Sequence, residues 1–177
     1  MLSENAVWRI FLQLAVGVHY LHDRRILHRD LKPANILFNK ENEPKLVDFG
    51  LAVNADADQD LHGTVWGTPY YIAPEKVKRE GETFLSDMYS LAGTLYHALT
   101  GHVPFEAPSI EEVVAAHVHT DLTPPNHVVQ SITQPTSDAI YRLTDKWTRA
   151  ARTGWVTSEP AKAWHERYPD RTRTTSS

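Results

Sequence analysis

The chain has 177 residues, of which 41% are apolar, enough for one domain with a real core. Its 18 basic and 22 acidic residues give a net charge of −4 with no long basic run, which argues against a nucleic-acid partner, and the lack of cysteine excludes disulfides and thiolate metal sites. No apolar run approaches the roughly 18 residues needed to cross a bilayer, and Met1-Leu2-Ser3-Glu4-Asn5 lacks the basic start of a secretory leader, so a cytoplasmic domain with no membrane segment is expected.

In chain order, Ser3 can cap a helix whose apolar positions Val7, Ile10, Phe11, Leu14, Val18 and Leu21 share one face. His22-Asp23-Arg24-Arg25 ends it. Two short extended pieces, 35–38 and 45–47, are joined by a polar link and read as a small β hairpin. Residues 51–75 show no apolar period and are expected to be irregular, with Asp56, Asp58 and Asp60 in a solvated loop. A second helix, near 86–99, is apolar nearly all round, as suits a buried central helix, and Gly101 is its expected left-handed C-cap. Ser109 caps a shorter helix with Ile110, Val113, Val114 and Val118 inward. The proline-rich Thr123-Pro124-Pro125 leads to a last helix near 136–147. His117 and His119 read as surface or helix-end histidines rather than a metal pair. The pattern then fails, so 1–150 is expected to be the domain and 151–177 an irregular or disordered tail.

The chemistry concentrates in His28-Arg29-Asp30-Leu31-Lys32-Pro33-Ala34-Asn35 and Asp48-Phe49-Gly50. Magnesium prefers a few carboxylate and amide oxygens, completed by phosphate oxygens and water. Asn35 and Asp48 can supply such ligands from two facing strands. Asp30 is then free to accept or orient a hydroxyl proton, and Lys32 can neutralise charge on a phosphoryl group in transfer. Each residue alone also suits the local hydrogen bonding of a turn, so the set carries the reading and no single member does.

As an ordered set these motifs resemble the larger, C-terminal lobe of a eukaryotic-type protein kinase. The other matching segments are Gly67-Thr68-Pro69-Tyr70-Tyr71-Ile72-Ala73-Pro74-Glu75 and Ser86-Asp87-Met88-Tyr89-Ser90-Leu91, and the resemblance covers roughly residues 1–147. It implies a mostly α-helical α+β fold, ATP and Mg²⁺ as cofactors, and a protein substrate phosphorylated on serine or threonine, the branch indicated by Lys32. Asp30 and Lys32 would be catalytic, Asn35 and Asp48 would hold the metal, and Leu37 would form part of the adenine floor. Thr68 would bond Asp30 and Lys32, Arg29 would pair with a phosphate on the activation segment, and Thr64 stands where that phosphate commonly falls. His28, Phe49, Gly50, Glu75 and Asp87 would be supports: His28 packed on Phe49, Asp87 holding the catalytic-loop backbone, and Glu75 paired with a late arginine.

The sequence departs from the family pattern in three places. The small lobe is expected to be missing, since no glycine-rich loop, strand lysine or partner glutamate precedes the first helix, and the domain reads as a kinase fragment inactive alone. Ala92 stands where the family commonly has glycine. Around Lys146-Trp147-Thr148-Arg149-Ala150-Ala151-Arg152, neither Arg149 nor Arg152 fits the register of the arginine that pairs with Glu75, which suggests a reading-frame change after about 147. The loops around Thr64 and His102 resemble bacterial serine/threonine kinases and point to a bacterial source. A non-catalytic, pseudokinase-like docking module is the alternative from another class. A small-molecule phosphotransferase ranks last, because such enzymes lack the segment ending in Ala-Pro-Glu. Oligomeric state is not indicated.

Overall fold

The computed structural model describes residues 3–56 and 68–153. Helix α1 spans Glu4–Asp23. Ser3 is extended there and its hydroxyl accepts the Ala6 amide at 3.3 Å, a side-chain cap for an otherwise orphaned donor. Val7, Phe11, Leu14 and Val18 face inward as their spacing requires, and His22 continues the same stripe. Arg25, at φ 60, turns the chain out of the helix.

Strands β1 (Ile26–Leu27), β2 (Ile36–Phe38), β3 (Pro44–Leu46) and β4 (Val53–Asn54) form two antiparallel pairs, β2 with β3 and β1 with β4. The first pair is the expected hairpin; its first strand starts one residue later because Asn35 closes a 3₁₀ turn over Pro33–Asn35, and its second strand lies one residue earlier. Asn39 organises its link: Oδ1 accepts the amides of Glu41 and Glu43, and Asn42 takes φ 58. The second pair was not expected. Its strand β4 lies within the stretch read as irregular, as do a 3₁₀ turn at Pro69–Tyr71 and the start of helix α2 at Pro74–Val77, elements too short to show a period.

Helix α3, Phe84–Thr100, begins earlier than its apolar pattern suggests because Thr83 and Ser86 form a reciprocal capping box. Gly101, at φ 77, closes it as expected. Buried hydroxyls on this helix are satisfied internally, Thr94 donating to the Ser90 carbonyl at 2.9 Å and Thr100 to that of Tyr96 at 2.9 Å. Ala92 is fully packed.

Helix α4 is Ile110–His119, capped by Ser109; Val113 and Val118 point inward, but Ile110, in the first turn, is exposed. Helix α5 (Pro125–Val128) occupies part of the proline-rich stretch read as loop. Helix α6 runs Gln134–Thr153 and so continues past residue 150, where a tail was expected to begin; residues 154–177 lie outside the described residues.

The core lies between α1, α3 and α6, where Leu14, Val18, Leu91, Leu95 and Ile140 meet. A clasp ties the N-terminal ends of α1 and α6. Glu4 accepts the Thr133 amide at 3.0 Å and is bonded by the Thr136 hydroxyl, which also accepts from the Trp8 indole at 2.8 Å. These bonds hold the Glu4 carboxyl below its usual value. Among the described residues no helix is long and apolar enough to cross a membrane.

Candidate active site

The loop 28–35 leaves β1 and enters β2, and its start hangs from α3. Asp87, in the first turn of that helix and 2% exposed, accepts the His28 amide at 2.9 Å and the Arg29 amide at 2.8 Å. His22 Nε2 lies 3.1 Å from the same carboxylate. One buried side chain thus fixes the backbone direction with which the loop begins.

Arg29 adopts φ 70, a left-handed conformation costly for a residue with a Cβ and typical of sites held by their surroundings. Its guanidinium turns to Glu82, with Nε at 2.9 Å and Nη2 at 2.6 Å from Oε1, and Lys76 reaches Oε2 at 3.1 Å. A phosphate partner was expected for Arg29; its partner here is a carboxylate.

Asp30 Oδ2 accepts from Lys32 Nζ at 2.7 Å and Asn35 Nδ2 at 2.9 Å. Asn35 Nδ2 also donates to the Asp30 carbonyl at 2.8 Å. The amide nitrogen of Asn35 is therefore committed to Asp30, which leaves its oxygen as an acceptor. Across the hairpin the Val47 amide donates to the Asn35 carbonyl at 3.0 Å, bringing Asp48 to the same end. Asp48 is exposed at φ 62, and its Oδ1 accepts the Gly50 amide at 3.2 Å. Gly50 suits that turn, since a Cβ there would come within 3.1 Å of Asp48 Oδ1.

Phe49 packs on the fully buried His28 ring, centroids 4.9 Å apart. Leu37 is exposed. Thr68 lines a small cavity with Arg29 and Asp30. The expected bond from Thr68 to Asp30 and Lys32 is not formed; those two groups bond each other instead. Glu75 accepts the Ser86 hydroxyl at 2.6 Å, and burial pushes its carboxyl up. The side chains of Arg149 and Arg152, the two late arginines read as out of register for pairing with Glu75, lie outside the described residues, as do Thr64, Asp58 and Asp60. Asp56 is no free loop acid: it forms a forked pair with Arg25 at 2.9 and 3.0 Å.

His117 corrects the surface reading outright. It is completely buried, 2.8 Å from the Tyr89 hydroxyl and edge-on to Phe105. Burial lowers its pKa to about 4. Among the described residues no cluster of three or more acidic or histidine side chains forms a metal cage. Asn35 and Asp48 instead offer the small hard-oxygen set that magnesium uses alongside phosphate oxygens. Sequence reasoning missed His22, Lys76 and Glu82. The first had a signal, four residues after Val18 on the buried face; the other two had none.

Residues 1–161 match the family described as protein kinase domain. The probable serine/threonine-protein kinase CCRP1 of Zea mays is 40% identical over 133 residues, which are 75% of this chain and 21% of that protein. The serine/threonine-protein kinase PLK4 of Nematostella vectensis is 39% identical over 127 residues, 72% of this chain and 13% of that protein. The serine/threonine-protein kinase plk-2 of Caenorhabditis elegans is 46% identical over 100 residues, 56% of this chain and 16% of that protein. The chain thus spans about a fifth or less of the length of these relatives. All three come from eukaryotes, so the bacterial source read from the loops gains no support from them.

Proposed function

The chain belongs to the protein kinase domain family, and from that premise we propose that it provides the phosphotransfer part of a serine/threonine protein kinase site. The observation that carries this reading is the Asp30 cluster. A carboxylate bonded to Lys32 and Asn35 at 2.7 and 2.9 Å sits in a loop whose first amides, those of His28 and Arg29, are held by a buried aspartate on the central helix. Asp48 stands at the same end of the hairpin.

Mg²⁺-ATP would supply the phosphoryl group and the charge that neutralises its oxygens. Asn35, through its free oxygen, and Asp48, through its exposed carboxylate, would hold the metal. Leu37 would lie under the adenine. Asp30 accepts two hydrogen bonds at one oxygen, so it is held in one orientation from which to position a serine or threonine hydroxyl and receive its proton. Lys32 keeps a positive charge beside that carboxylate, suited to offset charge on a phosphoryl group in flight. Thr64 on the activation segment is proposed as the phosphorylated position.

The segment corresponds to the large lobe, and we take Leu37, Phe38 and Phe49, each about half exposed, as the face that a nucleotide-covering lobe would close. The same open face favours the second reading, a docking module without catalysis. Phosphate transfer from labelled ATP to a generic protein substrate separates them. The 177-residue chain is compared with its Asp48→Ala variant. Slow transfer by the parent and none by the variant rules out the docking module. No transfer, with no thermal shift on adding Mg-ATP, confines the enzymatic claim to a longer protein carrying this segment.

A further inference from the structure

The 3₁₀ turn Pro69–Tyr71 holds itself weakly. The bonds that close it, from the Tyr71 amide to the Thr68 carbonyl and from the Ile72 amide to the Pro69 carbonyl, are 3.4 and 3.5 Å long. Both lie beyond the useful range for N–H donors, so the turn takes its shape from its surroundings. Helix α3 supplies part of the hold. The Ser90 hydroxyl donates to the Tyr71 carbonyl at 2.8 Å, and the Tyr71 hydroxyl lies 2.6 Å from His97 Nδ1. Helix α4 also packs against the turn, and it brings His117 there.

His117 has no exposed surface. Its ring meets Tyr89 and Phe105 edge-on, with Nδ1 2.8 Å from the Tyr89 hydroxyl. The carbonyls of Pro69 and Tyr70 face the ring from the turn, yet no well-formed hydrogen bond reaches Nε2. A buried neutral imidazole carries one proton, so one nitrogen donates and the other accepts. A proton on Nδ1 would leave Nε2 a bare acceptor facing two carbonyl acceptors, a repulsive arrangement away from water. A proton on Nε2 removes that conflict and leaves Nδ1 to accept from Tyr89. Leucine in the same space would avoid the cost of a desolvated nitrogen. What the histidine adds is therefore polar, a link between Tyr89 on α3 and the backbone of the turn.

We propose that His117 is the positioning residue of the Pro69–Tyr71 turn, its Nδ1 fixed by Tyr89 and its Nε2–H directed at the Pro69 and Tyr70 carbonyls. Thr68 and Tyr71 line the small cavity that Asp30 also lines. On the kinase reading, the turn then borders the place where a substrate hydroxyl reaches Asp30, and His117 shapes that border without touching the substrate. This consequence rests on the kinase reading; the link itself does not.

Long-range proton–nitrogen NMR of the histidine rings in the 177-residue chain at neutral pH reads the tautomer, with His117 assigned by its absence in His117→Gln. The Nε2–H form is expected, and the Nδ1–H form overturns the proposal. Amide exchange at Tyr71 and Ile72 reads the turn. His117→Leu should speed it by about fivefold, the worth of one modest hydrogen bond, beyond any change at Leu14 and Val18 on α1. His117→Gln, whose side-chain amide can donate to the same carbonyls, should keep the turn protected. A packing role alone predicts the reverse order, because leucine fills the space better than glutamine. A change in His117→Leu no larger than that on α1, or a turn left unprotected in His117→Gln, overturns the proposal. If His117→Leu does not fold, a folded His117→Gln with a protected turn supports it, and failure of both variants overturns it. None of these readouts uses ATP, so loss of the kinase reading and loss of this proposal are separate results.

Discussion

The helical body and the hairpin edge of this molecule treat their apolar residues in opposite ways. In the body, Val18 on α1 and Ile140 on α6 have no exposed surface at all, and Leu91 on α3 is 1% exposed. At the edge, Leu37 is 56%, Phe38 50% and Phe49 47% exposed. The body closes its inner faces with its own helices, although Leu12 and Val16 on the outer face of α1 are exposed as well. The edge presents apolar surface that stabilises little within these residues, the surface proposed above to meet a nucleotide-covering lobe. Asp87 joins the two, rooted in α3 and bonded to the first amides of the catalytic loop.

Removing that joint should have the largest effect. Asp87→Ala leaves two buried amides and His22 without their acceptor, for a loss of about 3–5 kcal/mol in urea unfolding. A loss below about 1 kcal/mol would mean that the loop holds its own shape without the body. Within the body, Ile140→Ala should cost about 2–5 kcal/mol, because the three-helix core cannot close over the missing atoms.

The next effect is on pH dependence. His117 is buried and neutral, with its pKa lowered from 6.5 to about 4. The unfolded chain therefore binds a proton more readily than the folded one. Stability from this group is complete above pH 6.5 and is lost as pH falls toward 4, roughly 2 kcal/mol of it between pH 7 and 5. Glu75, whose carboxyl is raised by burial, works in the opposite sense, adding stability as pH falls. Comparison of the parent with His117→Gln isolates the histidine: the variant's acid limb should be flatter. An unchanged limb would show that α4 is not part of the closed body. The smallest effect belongs to the edge, where Leu37→Ser should change stability by no more than about 0.5 kcal/mol. A cost like that of Ile140→Ala would erase the contrast between the two regions.

What could be read from the chain follows how far apart the interacting residues lie. The four-three-four spacing of Val7, Phe11, Leu14 and Val18, the Ser3 and Ser109 caps and the Gly101 stop are local signals, and each helix stands where they put it. Asp30, Lys32 and Asn35 sit within six positions, so their grouping was legible too. Glu82 lies 53 positions from Arg29, and His22 lies 65 from Asp87. No local pattern marks such pairs; only the packing of α1, α2 and α3 creates them. His117 was misread for the same reason, since its burial depends on Tyr89 and Phe105 from another part of the chain. The left-handed backbone of Arg29 leaves no trace in residue type, whereas Asp48 is of a type that tolerates that conformation.

On the proposed kinase reading the open edge is a magnesium-nucleotide face built on Asn35 and Asp48, and amide NMR during a Mg-ATP titration tests this most directly. The expected result is a set of shifts confined to residues 30–37 and 47–50, absent when magnesium is chelated and absent in Asp48→Ala. Unmoved amides in both segments, or the same shifts in Asp48→Ala, would contradict it.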